Sequence, residues 1–158
     1  MTCTIRSASV ADVPAMHRLR NAVRENRLSA AAGITEASYL PYIDAGSAWV
    51  ADRPDGIAGF AAIDPSSETV WALFVDPETE GAGIGRALHS AMLGWAREQG
   101  VRRLSLTTET GSRAMHFYER AGWTQAATTA DGEVTFERSL LILHPAKDEA
   151  ASSAATDS

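Results

Sequence analysis

Cysteine is almost absent from this chain of 158 residues, since Cys3 is the only one. A single thiol excludes a disulfide framework and a cysteine-based metal site. Lysine is equally scarce: Lys147 is the only one, so no lysine completes the G-x-x-x-x-G-K-[ST] loop that a nucleotide hydrolase needs. The longest largely apolar run, residues 56–63, is far shorter than the roughly 20 residues that span a bilayer. These absences argue against a secreted disulfide scaffold, a P-loop enzyme and a membrane protein.

An excess of positive charge is also missing, because 20 acidic residues outweigh 14 basic ones and leave a net charge of -6. A nucleic-acid surface carries a basic stripe, so we expect no nucleic-acid partner, whereas an amine partner is compatible with this charge. The hydrophobic fraction of 45% is that of a globular domain. We expect one domain over residues 1–144 and a disordered tail over residues 145–158. No secretory signal is recognisable, which predicts a cytoplasmic protein.

The strongest pattern lies between residues 70 and 100. An apolar run, Val70 to Val75, predicts a strand that is buried on both faces. Glycine then recurs at positions 81, 83 and 85, and an amphipathic segment follows that stops at Gly100. Glycines let successive N–H groups converge on an anion, and a helix start adds a partial positive charge. The stretch predicts a site for a phosphorylated ligand; the alternative is a turn that only connects the strand to the helix.

The rest of the chain predicts further strands and helices around this stretch. A strand at residues 4–6 precedes a helix that Asp12 caps and that runs to about Arg24. A second helix over residues 35–45 should be shortened or kinked by Pro41. Strands are predicted at residues 48–51, 57–64, 103–108, 123–129 and 134–143, with a short helix over about residues 112–120. The order is β-α-α-β-β-β-α-β-α-β-β, an α/β (α+β) arrangement with a mixed sheet.

Two blocks resemble the GNAT acyltransferase superfamily. Residues 80–88, EGAGIGRAL, resemble its acetyl-CoA loop [QR]-x-x-G-x-[GA], with Gly83 and Gly85 in register and Glu80 at the usual Gln or Arg. Residues 104–123 resemble its second block, L-x-V-x-x-x-N-x-x-A-x-x-F-Y-x-x-x-G-[FW], with Gly111 at the usual Asn. The matching positions of this second block are Ala114, Phe117, Tyr118, Gly122 and Trp123. The resemblance covers roughly residues 4–143.

The resemblance implies the GNAT fold, a central mixed, mostly antiparallel sheet flanked by helices. It implies an N-acetyltransferase that moves an acetyl group from acetyl-CoA to an amine without a metal. The pantetheine arm is expected between the fourth and fifth strands, which splay apart, and the pyrophosphate at the glycine loop. The residues that the resemblance places at acetyl-CoA are Leu73, Phe74, Val75, Gly81, Ala82, Gly83, Ile84, Gly85, Arg86, Ala87, Ala114, Phe117 and Tyr118.

The resemblance also implies roles in catalysis. Tyr118 is the expected proton donor to the leaving thiolate, against the alternative of a packed core tyrosine. The general base stays open between Glu109 at the end of the fifth strand and a water molecule.

The acceptor wall is expected at Arg24, Glu25, Asn26 and Trp71, where Glu25 is an alternative contact for a cationic acceptor. A solvated helix end is the other interpretation of the charged residues in that group. The acceptor would be a small-molecule or peptide amine, and the closing hairpin a possible homodimer contact. A CoA-binding sensor or scaffold without catalysis is the rival function.

Overall fold

The computed structural model describes residues 3–24, 34–79, 83–109, 111, 113–128 and 132–140. The strands are β1 Thr4–Ser7, β2 Ala48–Arg53, β3 Gly56–Asp64, β4 Thr69–Val75, β5 Arg103–Glu109, β6 Thr124–Thr128 and β7 Glu133–Ser139. The helices are α1 Val13–Arg24, α2 Leu40–Asp44, α3 Ile84–Glu98 and α4 Arg113–Arg120, with short 3-10 turns at Val10–Asp12, Glu36–Tyr39 and Pro77–Thr79. The predicted order of elements is confirmed. In the described part of the chain, no helix is long and apolar enough to cross a membrane.

All seven strands form one sheet in the order β1-β2-β3-β4-β5-β7-β6. Every neighbouring pair is antiparallel except β4 and β5, which run parallel with α3 as their crossover. A parallel pair needs such a crossover because the chain must return to the end of the sheet at which the first strand started. The predicted mixed, mostly antiparallel sheet flanked by helices is therefore confirmed.

The sheet separates two apolar clusters. On one face, α1 and the segment around α2 cover alternate residues of β2, β3 and β4, among them Val50, Phe60 and Ala72. On the other face, α3 and α4 cover the residues in between, together with Leu104 of β5 and Phe136 of β7. Alternate side chains of a strand point to opposite faces, so β4 contributes to both clusters.

The start of α1 differs from the prediction in one respect. The 3-10 turn begins immediately after Ser9, and Asp12 lies inside that turn, so the prediction that Asp12 caps the helix is wrong. The Ser9 N–H donates to the Asp12 carboxylate (2.8 Å), and Arg6 donates two hydrogen bonds to the same carboxylate (2.9 Å each). The Arg6 guanidinium accordingly holds the pKa of Asp12 below its ordinary value.

The second helical segment is interrupted where proline was expected to matter. A 3-10 turn ends at Tyr39, and α2 starts afresh with Pro41 in its first turn. Proline lacks an N–H and is tolerated at a helix start, where that N–H has no intrahelical partner. The predicted shortening is confirmed.

Candidate active site

The strands β4 and β5 touch at one end only. Their register contains a single residue pair, Thr69 with Ser105, supported by a hydrogen bond from the Ser105 N–H to the Glu68 carbonyl (3.1 Å). Beyond that point β5 continues along β7 as far as Glu109, and β4 continues along β3 as far as Val75. The two strands therefore diverge into a cleft at their carboxyl ends, as the resemblance implied.

Because β5 moves away, β4 leaves one edge open along most of its length. The Asp76 N–H donates to the Ala58 carbonyl of β3 (2.8 Å). The backbone groups of a strand alternate between its two edges, so those of Phe74 also point to β3, and those of Leu73 and Val75 point into the cleft. Buried backbone groups need hydrogen-bond partners. The edge at Leu73 and Val75 can thus pair with an extended ligand.

The open edge also explains one difference from the prediction. The run from Val70 to Val75 was expected to be buried on both faces; both faces pack against an apolar cluster, but only Ala72 in β4 is buried and the other residues are half-buried. A strand inside a continuous sheet has a neighbouring strand along each of its two edges. Where β5 diverges, β4 keeps only β3 as a neighbour, so its residues are more exposed. The partial exposure of this apolar strand is what opens the cleft to a ligand.

The start of α3 leaves backbone N–H groups without partners inside the helix. Its N-cap, Gly83, has a left-handed backbone conformation (φ 78°), which glycine adopts without strain. The first hydrogen bond of the helix joins the Ala87 N–H to the Gly83 carbonyl (3.0 Å). The N–H groups of Ile84, Gly85 and Arg86 thus lack an intrahelical acceptor and point out of the helix end. Glu80, Gly81 and Ala82 lie outside the described residues.

Helix α4 packs against this helix start. A Cβ atom added to Gly85 would lie 3.5 Å from Cε1 of Phe117 and 3.5 Å from Cγ2 of Val75. Three segments far apart in sequence therefore meet at Gly85: the end of β4, the start of α3 and the middle of α4. Ala114 and Phe117 belong with Leu73 and Val75 to the apolar cluster on this face. The Arg86 side chain lies exposed in the first turn of α3.

Tyr118 is enclosed in the same cluster and is only 5% exposed. Its ring makes edge contacts with Phe117 (centroids 5.3 Å apart) and Trp123 (5.2 Å). Burial raises the pKa of the Tyr118 phenol well above its ordinary value of 10, because the anionic form loses its hydration. At neutral pH this side chain is therefore an uncharged O–H donor.

An aromatic group lies on the opposite face of β4. The ring of Trp71 stacks on Tyr42 (centroids 4.3 Å apart) and meets Tyr39 edge-on (5.2 Å). The guanidinium of Arg20, a buried residue of α1, lies 4.7 Å from the Trp71 ring centre and 5.0 Å from that of Phe74. Cations favour such positions over aromatic faces. Trp71 and Phe74 thus line the α1 side of the strand that borders the cleft.

Arg20 was not among the site residues predicted from the sequence. It lies buried on α1, four residues after Met16, and a charged residue on an apolar stripe is the sequence signal that could have found it. Arg24 is the last residue of α1, and its side chain, like that of Glu109, is not described. Glu25 and Asn26 lie outside the described residues. Glu109 ends β5 on the diverging side of the cleft.

The described residues contain no group of three or more His, Cys, Asp or Glu that could hold a metal ion. The described site offers hydrogen-bond donors of two kinds: backbone N–H groups, at the open edge of β4 and at the start of α3, and the buried phenol of Tyr118.

Parts of this chain are similar in sequence to mycothiol acetyltransferases. A mycothiol acetyltransferase of Propionibacterium freudenreichii subsp. shermanii is 45% identical over 60 residues, which cover 37% of this chain and 19% of that protein. One from Geodermatophilus obscurus is 36% identical over 83 residues, which cover 52% of this chain and 26% of that protein. The matched segments thus span about a fifth to a quarter of the length of these relatives.

A solved structure has the same fold. PaiA N-acetyltransferase from Thermoplasma acidophilum, in complex with coenzyme A, superposes with a TM-score of 0.75 at 16% identity, covering 88% of this chain and 99% of that chain. The model of the acetyltransferase (GNAT) family matches residues 15–123, which is more than half of the chain. The diverging strands, the glycine-capped helix start and this match lead to one conclusion: the chain belongs to the acetyltransferase (GNAT) family.

Proposed function

We propose that this protein transfers an acetyl group from acetyl-CoA to a primary amine of a small molecule or peptide. The observation that carries the proposal is the cleft between β4 and β5, with the helix start at Gly83 on one side and the buried Tyr118 in the adjoining cluster. Family membership and the CoA-bound structural neighbour support the same activity.

The residues of the cleft fit coenzyme A as an extended, amide-bearing ligand that ends in phosphates. The backbone edge at Leu73 and Val75 would pair with the amides of the pantetheine arm, as an added strand does. The N–H groups of Ile84, Gly85 and Arg86 would hold the pyrophosphate, where the partial charge of the helix start favours an anion. Gly81, Ala82 and Ala87 complete the proposed donor loop, and Ala114 and Phe117 its apolar wall.

When bound, acetyl-CoA supplies a thioester whose carbonyl carbon an uncharged amine attacks directly, which expels the CoA thiolate. The Tyr118 O–H would donate a hydrogen bond to the leaving sulfur. The pKa of the Tyr118 phenol lies above that of an ordinary thiol, which is near 8.5. Complete transfer of the phenol proton to the thiolate is therefore favourable only where burial raises the pKa of the CoA thiol as well. Either way Tyr118 acts as a donor and not as a base.

A base must take the proton of the amine, and the proposed candidate is Glu109, directly or through water, because it ends β5 at the open side of the cleft. The acceptor is proposed to bind on the α1 face, between Trp71 and the end of α1 at Arg24, with Glu25 and Asn26, which follow Arg24 in the sequence, as further proposed contacts. Aromatic faces suit an amine-bearing acceptor.

We propose a cytoplasmic protein that dimerises through its closing hairpin. In support, β6 is one of the two edge strands of the described sheet and is exposed at all five of its residues. Exposed edge strands are places where a second chain can pair.

The test is a calorimetric titration with acetyl-CoA, with ATP as the control ligand, followed by an amine screen that measures thiol release. We expect one-to-one binding of acetyl-CoA, no comparable binding of ATP, and transfer to at least one amine. Tyr118→Phe should keep the acetyl-CoA Kd and the melting temperature but lower kcat by about 100-fold, the typical contribution of a positioned acid. Binding without transfer to any amine would favour the sensor, and absence of binding would end the proposal. An unchanged kcat in Tyr118→Phe would remove the role of the phenol.

A further inference from the structure

A groove of about 390 Å³ lies between α3, α4 and β7. Four of the residues that line it are arginines: Arg86 and Arg97 of α3, Arg120 of α4 and Arg138 of β7. His89 and Ser90 of α3 lie between them. We call this the arginine groove. Nothing in the sequence pattern predicted it, since its four arginines are up to 52 positions apart.

The arginine groove carries uncompensated positive charge in a protein whose net charge is -6. Among the described residues that line it there is no Asp or Glu, and none of its four arginines forms an ion pair with a described carboxylate. Burial and the neighbouring Arg97 lower the pKa of Arg138. Burial, Arg138 and Arg97 also lower the pKa of His89, to about 4. Like charges that face one cavity favour an anion there.

The geometry of the groove is fixed by hydrogen bonds. The Nε of Arg138 donates to the Ala121 carbonyl (3.3 Å), which ties the guanidinium to the end of α4. The indole N–H of Trp123 donates to Nε2 of the buried His89 (2.9 Å). Neutral His89 therefore carries its proton on Nδ1, where it is a donor. Arg138 and His89 are thus held in place by these bonds, while Arg86, Arg97 and Arg120 lie exposed around them.

The groove is continuous with the proposed donor site. Arg86 lies in the first turn of α3, and Phe117, which also lines the groove, packs against Gly85. From Arg86 the groove follows α3 to Arg97, eleven residues or about 16 Å along the helix axis. This length exceeds what a pyrophosphate at the helix start can fill. The groove therefore has room, beside the pyrophosphate, for a second anionic group of the same ligand.

We infer that the arginine groove binds the 3′-phosphate of coenzyme A, an inference that rests on the proposed function. A phosphate monoester carries a charge of about -1.5 to -2 at neutral pH and accepts several hydrogen bonds at once, and arginine matches it in geometry. The protein accordingly discriminates acetyl-CoA from its dephospho form, although the two share the thioester, the pantetheine arm and the pyrophosphate.

The test compares CoA with dephospho-CoA by calorimetric titration of the full chain. The wild type should bind CoA at least tenfold more tightly than dephospho-CoA. The double variant Arg97→Gln/Arg120→Gln, which changes two exposed helix positions, should bring the two Kd values within about twofold by weakening CoA alone. The double variant Arg18→Gln/Arg102→Gln makes the same charge change at exposed positions outside the groove and should keep the preference.

Three outcomes overturn the inference and leave the proposed function standing. The first is equal affinity of the wild type for CoA and dephospho-CoA. The second is a tenfold preference that survives in Arg97→Gln/Arg120→Gln. The third is binding of inorganic phosphate to the CoA-saturated wild type that Arg97→Gln/Arg120→Gln abolishes, because the groove would then take a separate anion. Absence of binding to both CoA and dephospho-CoA would instead refute the proposed function, and the inference with it.

Discussion

Gly59 of β3 allows a close approach between the sheet and the start of α3. A Cβ atom at this position would lie 2.9 Å from the Phe74 carbonyl oxygen, 3.0 Å from Cδ1 of Leu88 and 3.2 Å from Cγ2 of Ile84. Ile84 is the first residue of α3, so this approach holds the helix start against β4. Gly59→Ala therefore perturbs the part of the fold that positions the proposed pyrophosphate site.

The expected loss of stability follows from these three contacts. The carbonyl oxygen belongs to the β3–β4 ladder and cannot rotate away, and the two methyl groups sit in a packed core. Overpacking of this kind costs about 1–3 kcal/mol, while loss of glycine entropy in the unfolded chain returns about 0.4–1 kcal/mol. The net change in the free energy of unfolding is about 1–2 kcal/mol. For a chain of this length it corresponds to a fall in Tm of roughly 2–8 °C.

Chemical and thermal unfolding of Gly59→Ala, followed by circular dichroism, measures this loss. Gly94→Ala is the matched control, because Gly94 lies inside α3 with no atom within 4 Å of the added Cβ. There the same substitution should stabilise by about 0.5–1 kcal/mol, since alanine is the better helix former. If Gly59→Ala were as stable as Gly94→Ala, the close approach between sheet and helix would not exist in solution.

Two further predictions concern the donor side of the molecule. The folded state holds the pKa of His89 at about 4, below its ordinary value of 6.5. Between pH 6.5 and 4 the unfolded chain therefore binds a proton at His89 that the folded protein does not. The free energy of unfolding should fall by about 3 kcal/mol over this range. Urea titrations at pH 6.5 and pH 4 should show a smaller loss of unfolding free energy for His89→Gln than for His116→Gln, which changes an exposed histidine. Equal losses in the two variants would contradict the role of His89. Gly83→Ala forces alanine into a left-handed conformation and should cost roughly 1 kcal/mol of stability and weaken acetyl-CoA binding, as measured by melting and calorimetry. Retention of full affinity would show that the cap conformation does not position the helix start.

Much of the fold was predictable because its signals are local. Alternation along β5, the helical spacing of α3 and the glycine after it, and Pro41 at the start of α2 each act over a few neighbouring residues. The errors arose where another segment intervened. Asp12 was predicted as a cap, but Arg6 and Ser9 hold it inside the turn. Strand β4 was predicted to be buried on both faces, but the divergence of β5 leaves all of its residues except Ala72 half-buried.

The sequence by itself determined the donor side of the proposed site. A glycine-capped helix start after a strand makes its anion site from consecutive backbone N–H groups, so one contiguous stretch contains all of it, and Tyr118 lies in an equally compact second block. Only the tertiary structure decided the point at which β5 leaves β4, the position of Arg20 over Trp71 and Phe74, and the meeting of four arginines in one groove. These features depend on how separate elements cross and pack, and local periodicity contains no information about that.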